Sequence, residues 1–198
     1  MHILFLGPAC PSIEDCLSEK GHTLVRTKEA LSLTWIKENN FDFGLSYRYS
    51  KIISPDIIGY FGEKLINMHI SFLPWNRGSD PNLWSYIEDT PIGVTIHRVN
   101  AGIDTGDVLL QQEVSIDLEA DTLRTSYDKL SLAIEDLFIS NVEALLTNTI
   151  PAKPQSGFGS FHYAKDKLPY LYLIDRLGLD SQLSVIIAKL QVRGGYRF

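Results

Sequence analysis

The sequence lacks the features that mark several common classes of protein. Its two cysteines, Cys10 and Cys16, have a spacing that fits neither a redox pair nor a zinc site, so both are predicted to be reduced, packed thiols. The apolar runs are too short for a signal peptide or a transmembrane helix, which favours a cytoplasmic protein without a membrane partner. Acidic residues outnumber basic ones by 24 to 18, which argues against a nucleic-acid partner. Without a glycine-rich phosphate loop of the dinucleotide or P-loop type, nicotinamide and ATP chemistry are not expected.

Short apolar runs alternate with helical patterns through the first part of the chain. The strand-like runs cover residues 3–6, 22–26, 43–47 and 64–69, and the helical patterns cover residues 12–20, 31–38 and 52–58. Such alternation predicts an α/β fold built on a mostly parallel, Rossmann-like sheet with helices on both faces.

The pattern changes after residue 80. Residues 93–99 and 107–116 are predicted to be strands, with Val108, Leu110, Gln112, Val114 and Ile116 on one face of the second. Asp121 is predicted to cap a helix of about seven turns that ends at Ile150-Pro151. The interpretation is a core from residue 1 to 150 and a small C-terminal extension over residues 151–198.

Spacing alone indicates the environment of three aromatic residues and three histidines. Trp35, Tyr127 and Phe138 occur at helical spacing and are predicted to lie in the core. His2, His22 and His97 fit no metal-ligand spacing and are interpreted as structural or exposed. No metal site is predicted.

The densest group of reactive residue types stands where a predicted strand ends. Asn67 and His69 are two residues apart, so on a strand their side chains point to the same face. Ligands of open α/β sheets bind at the carboxyl ends of strands. An amide and an imidazole converging there can stabilise an oxyanion.

A glycine-rich loop supplies carboxylates that can complete this group. Asp104 and Asp107 lie between two predicted strands, and a carboxylate near His69 would orient it and favour its protonated form. Asn67, His69 and Asp104 together suit acyl transfer to a neutral amine, with the aspartate helping to remove the amine's proton. On spacing alone, a tight turn at Asp104 and Asp107 remains the alternative.

Three segments together resemble the folate-dependent formyltransferase family. They read NMHISFLPWNRG at 67–78, GVTIH at 93–97 and IDTGD at 103–107. The resemblance implies that Asn67, His69 and Asp104 are the catalytic residues. It also implies that N10-formyltetrahydrofolate is the donor. The expected fold is the Rossmann-like formyltransferase sheet.

The resemblance also indicates where the folate would bind. Tyr47, Arg48 and Tyr49 match the position of one wall of the folate pocket, although aromatic packing at a sheet end is the alternative. Backbone groups of residues 99–104 would bind the pterin ring. Within this segment the family resemblance implicates Val99, Asn100, Gly102 and Ile103, and beyond it Asp107. Few residues precede Asn67, so a strand–helix unit of the N-terminal half is expected to be missing.

Within the family, the chain looks most like the sugar N-formyltransferases of polysaccharide biosynthesis, whose acceptors are nucleotide-linked amino sugars. The substrate-binding candidates are Trp75, Asn76, Arg77, Phe161 and Tyr163. Arg77 suits a phosphate or sugar oxygen. A homodimer is an open possibility. Three alternatives remain: transfer to another small amine, hydrolysis of the formyl-folate, and a non-catalytic module that binds folate or a nucleotide sugar.

Overall fold

The computed structural model describes residues 1–193, so the last five residues of the predicted C-terminal extension lie outside the described residues. Within residues 1–193 the strands are β1 (His2–Leu6), β2 (Thr23–Thr27), β3 (Phe43–Tyr47), β4 (Leu65–His69), β5 (Arg77–Gly78), β6 (Gly93–Arg98), β7 (Val108–Glu113) and β8 (Phe161–His162). The helices are α1 (Pro11–Glu19), α2 (Leu33–Asn39), α3 (Pro55–Phe61), α4 (Pro81–Ile87), α5 (Leu123–Ser140), α6 (Val142–Leu146), α7 (Leu171–Leu177) and α8 (Leu183–Arg193).

Six of the strands form one sheet in the order β2-β1-β3-β4-β6-β7. The β1–β2, β1–β3 and β3–β4 pairs are parallel, whereas β6 runs antiparallel to β4. The predicted α/β fold with a mostly parallel sheet is confirmed. Because β2 and β3 lie on opposite sides of β1, the strand order reverses between β1 and β3, where α/β folds commonly form a binding crevice.

The chain leaves β1 through a glycine that no other residue replaces without strain. Gly7 has φ +146°, and a Cβ at this position would overlap the carbonyl oxygen of Tyr47 at the end of β3. Gly7 N also donates to Thr27 O at 3.0 Å. The absence of a side chain therefore lets the segments that follow β1 and β3 approach each other closely.

The chain divides into two compact units. Among the described residues, the first comprises residues 1–69, 95–111 and 134–156, and the second comprises residues 70–94, 112–133 and 157–193. In the first unit, Leu4 and Leu6 of β1 pack with Ile36 of α2 and with Ile57 and Phe61 of α3. In the second unit, a core cluster joins α4, the start of α5 and α8 through Leu83, Tyr86, Leu123, Leu183 and Ile186. Burial of these side chains supplies the main stabilisation of each unit.

The long predicted helix is interrupted at Asn141. Its backbone has φ −121° and ψ 13°, which is not helical, so α5 ends at Ser140 and α6 starts at Val142. The Asn141 side-chain amide donates to Leu137 O at 2.8 Å. Asparagine side chains compete with the helix backbone in this way, and the prediction of a single uninterrupted helix was wrong.

Two further predictions based on periodicity fail. Tyr127 is 36% exposed rather than in the core, because Ser126 is the buried residue at that turn and its hydroxyl donates to Asn82 Oδ1 at 3.0 Å. In β7 the buried residue is Leu109, and the strand ends at Glu113. The face of β7 that is buried is therefore not the face that the apolar pattern suggested, because burial in a strand depends on its neighbours in the sheet.

Among residues 1–193, no helix is both long and apolar enough to cross a membrane. Both cysteines are free thiols, as predicted.

Candidate active site

The end of β4 presents Asn67 and His69 on one face. Leu65, Ile66 and Met68 of the same strand are buried and fix it in the sheet, and His69 itself is only 8% exposed. Alternation along the strand then aims the half-buried Asn67 and the buried His69 in the same direction. The predicted placement of these two side chains agrees with the structure.

A third side chain joins them from the neighbouring strand. In the antiparallel register between β4 and β6, His97 lies directly opposite Asn67, so the two side chains share a face. Asn67 Nδ2 lies 3.1 Å from His97 Nε2, and the centroids of the His69 and His97 rings are 6.4 Å apart. Spacing alone predicted His97 to be structural or exposed, and the structure shows that it is not exposed. It is buried within the cluster.

The loop between β6 and β7 brings Asp104 to the same place. Asn67 Nδ2 donates to Asp104 Oδ1 at 3.2 Å, His97 Nε2 lies 3.4 Å from that oxygen, and His69 Nδ1 lies 3.7 Å from Oδ2. The Asp104 side chain is 13% exposed. Burial strengthens these electrostatic interactions, because the surrounding dielectric is lower than that of water.

The hydrogen bonds fix which atoms donate. His97 Nδ1 lies 2.8 Å from Arg98 O, and a carbonyl only accepts, so Nδ1 carries the proton. In neutral His97, Nε2 is then an acceptor for the Asn67 amide. The same amide nitrogen faces the Asp104 carboxylate, so the network assigns the NH2 group of Asn67 to this side. Asn67 is therefore held as a donor.

Replacing His97 by leucine is expected to lower kcat about tenfold, because Asn67 Nδ2 loses an acceptor that orients it, at the cost typical of a buried hydrogen bond. Steady-state kinetics of the formyl transfer predicted from the sequence measures the effect. His22, which contacts the N-terminal amine, offers the control: His22→Leu should leave kcat unchanged. Equal losses in the two variants would contradict the orienting role.

The three residues after the buried part of β3 occupy different environments. Tyr47 is 1% exposed, and its hydroxyl donates to Glu135 Oε1 at 3.2 Å, so its ring packs at the sheet end. Arg48 lies over that ring at 4.5 Å and donates to the Tyr47 hydroxyl at 2.7 Å. Tyr49 donates its hydroxyl to Glu29 O at 2.6 Å, and burial raises the pKa of this phenol. Of the three, Arg48 is the exposed one.

The loop that carries Asp104 is ordered by its own polar groups. Asn100 Oδ1 accepts from Gly102 N at 3.1 Å and from the Thr105 hydroxyl at 2.7 Å. Arg98 N donates to Asp107 O at 2.9 Å and closes the base of the loop. Val99 N donates to Leu65 O at 2.9 Å, and Ile103 is 44% exposed at the tip. Side chains thus brace the loop from within.

A two-stranded ribbon in the second unit holds the other candidates. β5 and β8 pair in parallel, with Arg77 opposite Phe161 and Gly78 opposite His162. Phe161 is 36% and Tyr163 58% exposed, and their rings pack edge to face with centroids 4.7 Å apart. On the other side of the ribbon, His162 is buried and stacks on Trp84 at 3.8 Å. One side is therefore packed, and Phe161 and Tyr163 remain partly exposed.

The other two substrate candidates are less accessible. Asn76 has no exposed surface, and its side-chain amide donates to the hydroxyls of Ser85 at 3.1 Å and Thr90 at 2.7 Å. Its side-chain oxygen accepts from the Ser160 hydroxyl at 3.0 Å. Asn76 thereby fixes the ribbon, while Trp75 is half-buried beside it.

Comparison with known proteins identifies the family. A family model described as Formyl transferase matches residues 13–142, about two thirds of the chain. The chain belongs to the formyl transferase family. The match contains Asn67, His69, His97 and Asp104. Within the described part of the chain, no group of three or more His, Cys, Asp and Glu side chains is placed to hold a metal ion.

Curated relatives in the formyl transferase family include longer proteins. Methionyl-tRNA formyltransferase of Thermodesulfovibrio yellowstonii is 37% identical over 123 residues, which is 62% of this chain and 40% of that protein. Methionyl-tRNA formyltransferase of Cyanothece sp. is 30% identical over 172 residues, which is 85% of this chain and 49% of that protein. The chain thus spans between two fifths and half the length of these relatives.

Solved structures include one of similar size. The formyltransferase PseJ from Anoxybacillus kamchatkensis is 43% identical, with a TM-score of 0.90 over 96% of this chain and 100% of that one. That protein was crystallised with UDP-4,6-dideoxy-4-formamido-L-AltNAc and tetrahydrofolate. A sugar N-formyltransferase from Shewanella sp FDAARGOS_354 matches at 22% identity and a TM-score of 0.74, over 99% of this chain and 90% of that one. The second match shows the fold alone.

Proposed function

We propose that this chain transfers the formyl group of N10-formyltetrahydrofolate to the amine of a nucleotide-linked amino sugar. The observation that carries the proposal is the cluster of Asn67, His69 and Asp104, with Asp104 oxygens 3.2 Å from Asn67 Nδ2 and 3.7 Å from His69 Nδ1. Similarity to PseJ over the whole of that chain supports both substrates, since PseJ was crystallised with a formamido UDP-sugar and tetrahydrofolate.

The proposed reaction is direct transfer without a covalent enzyme intermediate. The nitrogen lone pair of the neutral amine attacks the formyl carbon, and the carbonyl electron pair moves onto oxygen. Asn67 and protonated His69 donate to this oxyanion. Asp104 orients His69 and accepts the amine's proton, directly or through water. Collapse of the intermediate breaks the bond to folate N10, which takes up a proton.

The hydrogen bonds of Asn67 point to a change of partners during the reaction. Its NH2 group faces His97 Nε2 and Asp104 Oδ1. A developing oxyanion competes for the N–H that points to Asp104. Uptake of a proton by Asp104 weakens that hydrogen bond, so the N–H becomes available as the negative charge develops. Hydrogen bonds in active sites commonly rearrange when a substrate binds.

The folate is proposed to bind along the loop that carries Asp104. Backbone groups of Asn100, Gly102, Ile103 and Asp107 remain the candidates for the pterin, next to the Asp104 carboxylate. Val99 and Gly102 are weaker candidates, because their N–H groups already donate to Leu65 O and Asn100 Oδ1, respectively. From the other proposed wall of the folate pocket we retain Arg48, whose side chain is 33% exposed. A guanidinium at that position suits the carboxylates of folate.

The ribbon is proposed to bind the nucleotide of the acceptor. Arg77 lies opposite Phe161 in the ribbon, and the Tyr163 ring packs against the Phe161 ring, so the three residues are grouped together. Aromatic rings stack on bases, and a guanidinium forms paired hydrogen bonds with phosphate. Trp75 is a further candidate for the base. Asn76 is left out, because its side chain is buried and occupied.

A substrate screen tests the proposed function. The protein is incubated with N10-formyltetrahydrofolate and a panel of UDP- and dTDP-linked amino sugars, and products are read by the mass gain of one formyl group. Formation of a formamido sugar is the expected result. Release of formate without an amine would indicate the hydrolase instead. Folate binding by calorimetry with no turnover on any amine would indicate a binding module.

Removing an aromatic ring from the ribbon should weaken acceptor binding. Tyr163→Ala is expected to raise KM for the nucleotide sugar about tenfold at nearly constant kcat, on the scale of one base–aromatic stack. Phe158, which is 93% exposed and lies outside β5 and β8, provides the matched control. Phe158→Ala should leave KM unchanged. A fall in kcat with constant KM for Tyr163→Ala would argue against a nucleotide contact.

A further inference from the structure

The catalytic carboxylate stands on a loop whose backbone receives two hydrogen bonds from the side chain of Gln155. Gln155 Nε2 donates to Asp104 O at 2.8 Å and to Gly106 O at 2.8 Å. Because both carbonyl oxygens only accept, the NH2 group of Gln155 must face the loop. One N–H of the amide then donates to the carbonyl oxygen of the residue before Thr105, and the other donates to that of the residue after it.

The segment that carries Gln155 is itself fixed to the edge of the large sheet. Val108 N donates to Lys153 O at 2.8 Å, and Lys153 N donates to Val108 O at 2.9 Å. This antiparallel bridge pairs Lys153 with the first residue of β7. Gln155, two residues further along, reaches back to the loop from an anchored backbone.

The two residues whose carbonyl groups Gln155 binds have unusual backbone environments. Asp104 has φ +52°, in the left-handed region that residues with a Cβ rarely adopt. Gly106 packs so closely that a Cβ there would overlap Arg98 O. Aspartate tolerates the left-handed region better than most residues, but the right-handed region remains more favourable, so contacts that hold the loop help to keep this conformation.

We propose that Gln155 is a positioning residue for Asp104. Its two hydrogen bonds hold the loop so that the Asp104 carboxylate stays near Asn67 and His69. Loss of the amide lets the backbone at 104–106 relax, and a shift of about 1 Å at a reacting group lowers rates about a hundredfold. The inference rests on the proposed formyl transfer for its kinetic part, and on hydrogen bonding alone for its structural part.

Methionine at position 155 removes both donors and keeps the length of the side chain. Gln155→Met is expected to lower kcat by about tenfold to a hundredfold. Gln155→Glu should lose more, because its carboxylate oxygens would face two carbonyl oxygens. Lys153→Ala is the matched control, since the bridge at that residue is made by its backbone, and it should leave kcat unchanged.

A double-mutant cycle separates positioning from a general structural role. In an Asp104→Asn background, Gln155→Met should change kcat by less than about twofold, because its effect passes through the carboxylate. A residue that only stabilises the fold would lower kcat by the same factor in both backgrounds, and that result would overturn the proposal.

Hydrogen–deuterium exchange gives a readout that needs no turnover. In Gln155→Met, peptides that cover residues 99–108 should exchange faster, while peptides from β1 and β3 stay unchanged. Unchanged exchange in the loop would overturn the proposal that Gln155 holds it. If the wild-type protein formylates no amine, the proposed function fails, and exchange alone then decides whether Gln155 holds the loop.

Discussion

Replacing Asp104 by asparagine is expected to lower kcat by two to three orders of magnitude, on the scale of a lost general base together with a misplaced oxyanion donor. The substitution keeps the size of the side chain but removes its charge. Asp104 Oδ1 accepts from Asn67 Nδ2 at 3.2 Å, and Oδ2 lies 3.7 Å from His69 Nδ1. An amide at this position neither takes the amine's proton nor stabilises a protonated imidazole.

Single-turnover formation of the formamido sugar, followed by mass spectrometry, measures the chemical step of Asp104→Asn directly. Asp180→Asn is a suitable control, because Asp180 forms an exposed ion pair with Arg124 and such pairs contribute little to stability. Turnover within threefold of wild type for Asp104→Asn would remove the carboxylate from the mechanism.

Alanine at Gly7 is expected to destabilise the protein by about 2–5 kcal/mol, the sum of a left-handed backbone and a forced separation of packed segments. The new Cβ would overlap Tyr47 O, and the conformation at φ +146° disfavours any side chain. The carbonyl belongs to backbone at the end of a buried strand, so it has little freedom to move away. Chemical denaturation followed by circular dichroism measures the free energy of unfolding.

Gly59 provides the matched control for this substitution. It lies inside α3, has no positive φ, and a Cβ there meets nothing within 4 Å. Gly59→Ala should therefore stabilise the protein by about 0.5–1 kcal/mol, because alanine favours the helix and restricts the unfolded chain. Destabilisation of similar size in both variants would show that the contact with Tyr47 is not the cause.

Local patterns predicted the sheet and half of the candidate site. Strand period placed Asn67 and His69 on one face, because that placement depends only on their separation along the chain. Asp104 lies 35 residues after His69, and spacing alone left a tight turn as the alternative. The resemblance to a family, rather than any local signal, favoured a role in the same site.

His97 was missed because strand register is not encoded locally. The alternation of residues 93–98 separates Val94 and Ile96 from Thr95 and His97, but it does not say which strand is the neighbour. Only the antiparallel pairing with β4 sets His97 opposite Asn67. The alternation of polar and apolar residues in 93–98 and 64–69 is the signal that could have indicated this register, once the two strands are assumed to pair.

Packing between elements explains the other errors. A stripe of apolar residues predicted Tyr127 in the core, yet the buried position is taken by Ser126, which finds a polar partner in Asn82. Likewise, Gln155 stands in a stretch without periodicity, so nothing in its neighbourhood signalled contact with the loop at 104–106. These positions are decided by partners far away in the chain, which local patterns do not contain.

The bridge at Lys153 and the reach of Gln155 have a practical consequence for protein engineering. A designer who transplants this catalytic core into a multidomain enzyme would be tempted to cut at Ile150-Pro151, where the helical region has ended. A graft cut there would leave behind the amide that touches the aspartate loop. Because β8 completes the ribbon and α8 contributes to the core of the second unit, the transplanted fragment should also retain the chain through Arg193.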